Sequence, residues 1–468
     1  MRARRFWVSA TIRRSIGVTL LALCSAGLAA CKKKPPAPAP EPQLDDETVA
    51  LTLDPAPSAA PSAGPVVSRC REDSSKSFLI GEVGKARGTE EEDDAGPDED
   101  DEVPAPFSVE LGEVRAENGG FTLSALRSLK GQAHALLALV ADEAKSGKLV
   151  DLGAVHGDPD PPAFALHGAD AVVAASDTDA GGGMLRLGLV RDLAGGAEIS
   201  WGQEITGVRR DSTFALEVSG DHALLTYAAE VSGKIRVYGV LVDPANLKAK
   251  LAPEALSAPG ADVDSPRLAL RKGGYWLAVA RSLDAPKPQK KKAADAGNDL
   301  GEDDSLLDIG TRRIEVQKLD EKGKSISSAL VVTAPGARPM TFELAAAGDG
   351  GAYIAFRADD STPGADGSAL ELVHVKPDGT FQKLPLDGDA NGTGTPSLLV
   401  DVADPSKVWL TAAGENGATW FGRVGDKTTL AADGAVRGAD VIAIRGGQFL
   451  LARSKSTAAE LSVVQCHE

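Results

Sequence analysis

The stretch Phe342-Glu343-Leu344-Ala345-Ala346-Ala347-Gly348-Asp349-Gly350-Gly351-Ala352-Tyr353-Ile354-Ala355 decides how this chain folds. A short apolar run meets Gly348, Gly350 and Gly351, and a second apolar run follows at once. Apolar runs joined by glycine-rich links of this length signal a β-hairpin, because glycine supplies the positive φ that a tight turn needs. A third run, Leu370-Glu371-Leu372-Val373, alternates polar and apolar positions. Continuous apolar runs fit strands covered on both faces, and alternation fits a strand with one face in water. One unit therefore reads as a buried inner pair followed by a half-exposed outer strand.

The unit recurs. Its clearest mark is two large apolar residues followed by Ala or Thr: Leu136-Leu137-Ala138, Val172-Val173-Ala174, Leu224-Leu225-Thr226, Trp276-Leu277-Ala278, Tyr353-Ile354-Ala355, Trp409-Leu410-Thr411 and Leu450-Leu451-Ala452. The steps between copies are 36, 52, 52, 77, 56 and 41 residues. The longest contains a charged stretch, residues 283–304, that reads as an insertion between two strands of one repeat. Long helical patterns are absent from the sequence.

Short strands at such steps are the signature of a propeller, and the chain resembles β-propellers in general. Seven copies predict an all-β propeller of seven blades, each of about four antiparallel strands. The turn Lys376-Pro377-Asp378-Gly379 is similar to that of periplasmic TolB-like repeats, but no regular Trp-Asp dipeptide accompanies it, so no narrower family is implied. Two tandem β-sandwiches are the structural alternative. A propeller also accommodates the length, since about 360 ordered residues exceed what one compact core usually supports. The short first and last steps predict that an N-terminal strand completes the final blade. Phe78–Val83 and Phe107–Leu111 are the candidates.

The start of the chain carries a different signal. Arg2, Arg4, Arg5, Arg13 and Arg14 precede an uncharged segment, Ser15–Cys31, that ends in Leu28-Ala29-Ala30-Cys31. The apolar heart of this segment is too short to span a bilayer, which takes about 20 apolar residues, and fits a cleaved export signal. It resembles the signal peptide and lipobox of bacterial lipoproteins, while an ordinary secretory signal cut near Ala30 is the alternative. The resemblance implies a signal peptide over residues 1–30 and a lipidated Cys31. It also implies a protein held in the cell envelope through two or three acyl chains, each buried methylene contributing about 0.8 kcal/mol. Lys32 after the cysteine favours the outer membrane by the family's sorting rule.

Residues 31–67 are rich in Pro, Ala and Ser and read as an extended tether reaching up to ~100 Å at ~3.1 Å per residue. The propeller domain is then expected over residues 68–468. Within it, residues 85–106 hold two acidic runs and read as a solvated, disordered loop. Of four cysteines, Cys24 would leave with the signal and Cys31 would take the lipid. Cys70 and Cys466 remain as the only candidate disulfide in an oxidising compartment, with two free thiols as the alternative. Such a bridge would staple the closure of the ring.

The net charge is −17. Removing residues 1–30 takes away five arginines and no acids, leaving about −22 on the mature chain. That balance argues against nucleic-acid binding, which needs a cationic footprint, and leaves the lipid as the membrane contact.

Chemistry is harder to locate. Asp387-Gly388-Asp389-Ala390-Asn391-Gly392 resembles the start of a calcium loop, with Asp387, Asp389 and Asn391 as oxygen ligands. It departs from the pattern at Thr395 and Leu398, and a loop between blades is the plainer reading. The six histidines show no HExxH spacing, and no G-x-S-x-G is present. Gly323-Lys324-Ser325 ends like a phosphate loop but has Lys318 where the first glycine should stand. The expectation is a non-catalytic binding or scaffolding lipoprotein for a protein or glycan partner, with no required cofactor. The alternatives are an envelope hydrolase or lyase with its site at the propeller's channel mouth, marked by clustered acids with a His or Arg, and a calcium-stabilised surface module.

Overall fold

The computed structural model describes residues 69–80, 109–117, 119–129, 132–141, 147–157, 159–179, 182–209, 213–258, 262–283, 311–335, 337–339, 341–358, 369–388, 395–413, 418–437, 441–455 and 458–467. The expected signal peptide, the tether with Cys31, the acidic loop 85–106 and nearly all of the insertion 283–304 lie outside these residues.

Among the described residues every regular element is a strand. β1 (Arg69–Ile80) comes first. The first meander is β2 (Val109–Glu117), β3 (Gly120–Leu129), β4 (Gln132–Ala141) and β5 (Gly147–Val155). Next come β6 (Ala163–His167), β7 (Asp170–Asp179), β8 (Gly182–Arg191) and β9 (Glu198–Val208). Then follow β10 (Phe214–Ser219), β11 (His222–Val231), β12 (Lys234–Val242) and β13 (Ala249–Ala255).

The fourth meander holds β14 (Val263–Arg271), β15 (Gly274–Ser282), β16 (Arg312–Leu319) and β17 (Leu330–Val331). The fifth holds β18 (Phe342–Ala346), β19 (Ala352–Ala358), β20 (Ala369–Val375) and β21 (Phe381–Leu384). β22 (Leu386–Asp387) leads to β23 (Ser397–Val400), β24 (Val408–Ala413), β25 (Ala418–Arg423), β26 (Thr428–Thr429) and β27 (Ala431–Arg437). The chain ends in β28 (Val441–Arg445), β29 (Gln448–Lys455) and β30 (Ala458–His467).

Successive strands pair antiparallel into up-and-down sheets, and only the short β22–β26 pair is parallel. The first strands of the meanders touch one another in order. β2 meets β6, β6 meets β10, β10 meets β14, β14 meets β18, β18 meets β23, β23 meets β28, and β28 returns to β2. This is the closed, radial arrangement of a propeller, with no helix among the described residues.

Two expectations are corrected. Seven separate four-stranded sheets were expected; five stand apart, and β6 to β13 form one eight-stranded sheet. The cause is local. The end of β9 lies beside the end of β11, where Val208 pairs with Ala229 and the Arg209 N–H donates to the Ala228 carbonyl at 3.2 Å. Second, the first copy of the repeat mark is out of phase. Leu136-Leu137-Ala138 lies on β4, the third strand of its sheet, whereas the other copies lie on second strands. The second strand here is β3, whose Thr122 and Ser124 interrupt the apolar run. The short first step is measured from a third strand to a second one.

At the closure, β1 forms the outermost strand of the sheet built from β28, β29 and β30. Phe78, Leu79 and Ile80 of the first candidate segment belong to it. The second candidate instead opens the first sheet as β2.

The core sits between sheets. Each apolar cluster joins neighbouring four-strand units face to face. Leu137 and Val150 pack with Phe164 and Val173. Trp276 and Ile314 pack with Ile354 and Phe356, and Phe121 and Leu123 with Leu450 and Leu461. The small residues of the repeat explain how the sheets come so close. Ala138, Ala174, Ala278, Ala355 and Ala452 are each no more than 2 % exposed. Where a large ring does enter, it is enclosed, as Trp409 is against Phe449 in an edge-to-face contact at 5.1 Å.

Candidate active site

The first strands line the centre of the ring, and their chemistry departs from their apolar setting. β2 carries Glu113 and Arg115, β10 carries Glu217, β14 carries Arg267 and β18 carries Glu343. In β10 and β18 the charge stands between apolar residues, as Leu216-Glu217-Val218 and Phe342-Glu343-Leu344. Strand alternation sends the flanking apolar side chains toward the sheet interfaces and the charged ones toward the axis. Leu216 and Leu344, for example, are buried in the intersheet clusters.

These side chains meet across the ring. One Arg115 nitrogen, Nη1, donates to both Glu217 oxygens at 2.9 and 3.0 Å. Its Nη2 donates to Glu113 Oε2 at 3.3 Å and to the Leu216 carbonyl at 3.1 Å. β2 and β10 are not neighbours, since β6 stands between them, so this contact spans the central space. β6 joins through Phe164, whose ring lies 5.7 Å from the Arg115 guanidinium carbon. Arg267 sits with its Nε 3.6 Å from Glu343 Oε2 and its guanidinium over the Phe342 ring. Glu343 Oε1 accepts the Leu344 backbone N–H at 3.0 Å.

The protonation balance differs among these groups. Burial pushes the Glu343 carboxyl above the usual carboxylate range, because Arg267 and the Leu344 N–H offset the desolvation only in part. Glu113 adds to the rise by like-charge repulsion. Burial also pushes Glu217 up, and Arg115 opposes it. Burial alone would lower the Arg115 guanidinium; Glu217 and then Glu113 outweigh it and hold Arg115 firmly charged. Glu343 lies deep in the ring, yet 30 % of its side-chain surface stays open. A carboxyl whose protonated form is favoured by burial, beside an open space and other carboxylates, is equipped to donate that proton to a bound molecule.

A second concavity lies outside the ring centre, a cavity of about 340 Å³ lined by Arg281, Glu315, Gln317, Ser257, Ser325 and Ser327 among others. Its polar groups are already engaged. Glu315 Oε1 binds Arg281 Nε at 2.6 Å and Arg313 Nη2 at 2.7 Å. Gln317 donates to the Leu256 carbonyl and Ser325 to the Ser327 carbonyl. It reads as a satisfied polar junction between sheets.

Of the residues singled out from sequence, Asp387 stands on β22 with its Oδ2 3.1 Å from Lys427 Nζ, while Asp389 and Asn391 lie outside the described residues. Among the described residues no group of three or more His, Cys, Asp or Glu side chains is placed to hold a metal ion. His134 and His156 pair with Asp151 and Asp177 near strand ends, away from the ring centre. Cys70 and Cys466 are direct partners in the β1–β30 register. The five charged residues at the axis were missed because they lie one or two to a strand and far apart in sequence. The signal that could have found them is a charge flanked by apolar residues inside a first strand, as at Glu217 and Glu343.

No protein-family model matches the chain, and no curated protein matches it. Solved structures do. A polysaccharide lyase described as an ulvan lyase matches with a TM-score of 0.51 at 11% identity, over 78% of this chain and 97% of that one. An α-L-arabinanase of Penicillium chrysogenum matches with a TM-score of 0.40 at 10% identity, over 64% of this chain and 92% of that one. Kuenenia stuttgartiensis hydrazine synthase matches with a TM-score of 0.46 at 12% identity, over 77% of this chain and 96% of that one. At these identities the likeness establishes the propeller architecture alone. The expectation of a non-catalytic scaffold is nevertheless overturned. The ground is the site itself: clustered acids with arginines, the mark expected of an enzyme at the channel mouth, stand at the ring's centre.

Proposed function

We propose that this protein cleaves glycosidic bonds in a polysaccharide, with its active site at the centre of the ring. The observation that carries the proposal is the Glu343 carboxyl, raised by burial beside Arg267 and within electrostatic reach of Glu113. Breaking a glycosidic bond requires a proton for the leaving oxygen, and Glu343 is the group suited to supply it. A second carboxylate must then assist water or attack the sugar carbon directly. Glu113 fits that part better than Glu217, because both Glu217 oxygens are held by Arg115 while Glu113 keeps 39 % of its side chain exposed. Arg115 and Arg267 hold the local charge in balance and offer donors to an anionic sugar.

Hydrolysis is favoured over elimination because the cluster offers paired carboxylates. The test is incubation of the purified full chain with a panel of neutral and anionic polysaccharides. Hydrolysis releases saturated reducing ends, whereas elimination leaves an unsaturated sugar with an ultraviolet absorbance. Saturated products lost on Glu343→Gln support the proposal. Unsaturated products, or no cleavage of any polymer in the panel, count against it.

We further propose that the ring has seven blades, the eight-stranded sheet supplying two. Val172 and Leu187 pack face to face with Leu225 and Val240, which strands of one continuous flat sheet do not do, and one residue pair joins the halves. Export and anchoring through Cys31 are part of the same proposal and rest on the Leu28–Cys31 sequence. An envelope anchor would hold such an enzyme where external glycans arrive.

A further inference from the structure

We infer that Cys70 and Cys466 form a disulfide that locks the ring shut. The two are paired directly across the antiparallel ladder of β1 and β30. Residues directly opposite one another on antiparallel strands share a face of the sheet, with Cα atoms about 4.5–5.5 Å apart. A disulfide takes Cα separations of about 4.4–6.8 Å, a range that a rung of this kind falls within. The chain has only four cysteines, two of them within residues 24–31. That the other two, near opposite ends of the sequence, fall on one rung of one ladder is hard to ascribe to chance.

The closing strand has reason to need a bond. β1 is the outermost strand of its sheet, so among the described residues one of its edges pairs with no strand. Its sequence, Arg-Cys-Arg-Glu-Asp-Ser-Ser-Lys-Ser-Phe-Leu-Ile, holds few apolar residues before Phe78. Its pairing also breaks. Arg69–Asp73 pair with Val463–His467, the register shifts, and Phe78–Ile80 pair with Ala459–Leu461. Cys70 stands in the first of these two short ladders, ahead of the register shift. A bond there converts the end of the ring into a covalent circle. It also removes conformational freedom from the unfolded chain over nearly the whole propeller.

Formation is a two-electron oxidation. The two thiols lose two protons and two electrons as the S–S bond forms. A disulfide-bearing oxidant, glutathione disulfide or a thiol–disulfide oxidoreductase, accepts them and leaves as two thiols.

The test uses the purified full chain equilibrated with glutathione disulfide, alkylated and digested without reductant. A peptide containing Cys70 linked to one containing Cys466 is expected. Reduction should lower the melting temperature by about 5 °C, and should leave that of Cys70→Ser unchanged. Recovery of both cysteines fully alkylated after oxidation would overturn the inference. So would a linked protein whose melting temperature does not respond to reductant.

Discussion

Arg115 on β2 reaches across the ring to Glu217 on β10, and one guanidinium nitrogen serves both carboxylate oxygens. β6 stands between the two strands, so the pair ties the first and third meanders together at the ring's centre. Glu217 is 12 % exposed and Arg115 26 %, enough enclosure for the loss of one partner to be felt. Arg115→Met should destabilise the protein by about 2 kcal/mol at neutral pH, toward the low side for enclosed pairs given the remaining exposure. Glu217→Gln in the same chain should recover most of it, because the cost is the stranded carboxylate. Urea unfolding of the single and double variants measures both. A single variant within about 0.5 kcal/mol of the parent would show a solvated pair of no structural weight.

Asp401 joins neighbouring sheets near the closure. It is 2 % exposed. Its Oδ1 accepts N–H groups from Ala403 at 2.9 Å and Gly446 at 2.7 Å, and its Oδ2 accepts that of Gly447 at 3.2 Å. The loop after β23 is thereby bound to the hairpin between β28 and β29. Asp401→Ala leaves three backbone donors without this acceptor and should cost about 2–3 kcal/mol. Asp401→Asn, which keeps one oxygen, should cost less. Equal stability of all three proteins in denaturant would remove Asp401 from the account.

The hairpin from β14 to β15 turns through Lys272 and Gly273, with Arg271 paired to Gly274. Gly273 and Gly274 have φ of +76° and +142°. A Cβ on Gly274 would also lie 2.2 Å from the Leu319 carbonyl oxygen on β16. Gly274→Ala meets both backbone strain and a backbone collision, and should cost about 2–3 kcal/mol. Gly273→Ala, with open space around its Cβ position, should cost less. Thermal unfolding of the two variants ranks them, and the reverse order would contradict the packing described for this turn.

The architecture was legible because a propeller writes itself as repetition. Tyr353-Ile354-Ala355 and its copies name the second strands, and the glycines before them name the turns. The one misplaced copy, Leu136-Leu137-Ala138, shows the limit of such a mark. A third strand can be as apolar as a second one when neighbouring sheets cover it, and Thr122 and Ser124 hid the true second strand by being polar and buried. The merged sheet was not legible, since one Val208–Ala229 rung leaves no trace in composition. The site was half legible. Glu343 and Glu217 could be placed on first strands, but that first strands face a common axis is a property of the closed ring. Charges more than a hundred residues apart become neighbours only when the ring closes.

The account turns on Glu343, and one variant tests it twice. Burial raises this carboxyl in the folded protein, so its contribution to stability is complete below the unfolded value of about 4.3 and is lost as pH rises through the folded value. Glu343→Gln, which cannot ionise, escapes that loss. Its melting temperature should exceed the parent's at pH 8 by a margin that vanishes toward pH 4. Its cleavage of a polysaccharide that the parent degrades should fall by about 10²–10⁴-fold, the loss expected on removing a general acid. Measured together on the same preparation, a more stable and inactive variant is the predicted result. A variant that keeps its activity, or that is less stable than the parent at pH 8, would contradict the assignment of Glu343 as the buried proton donor.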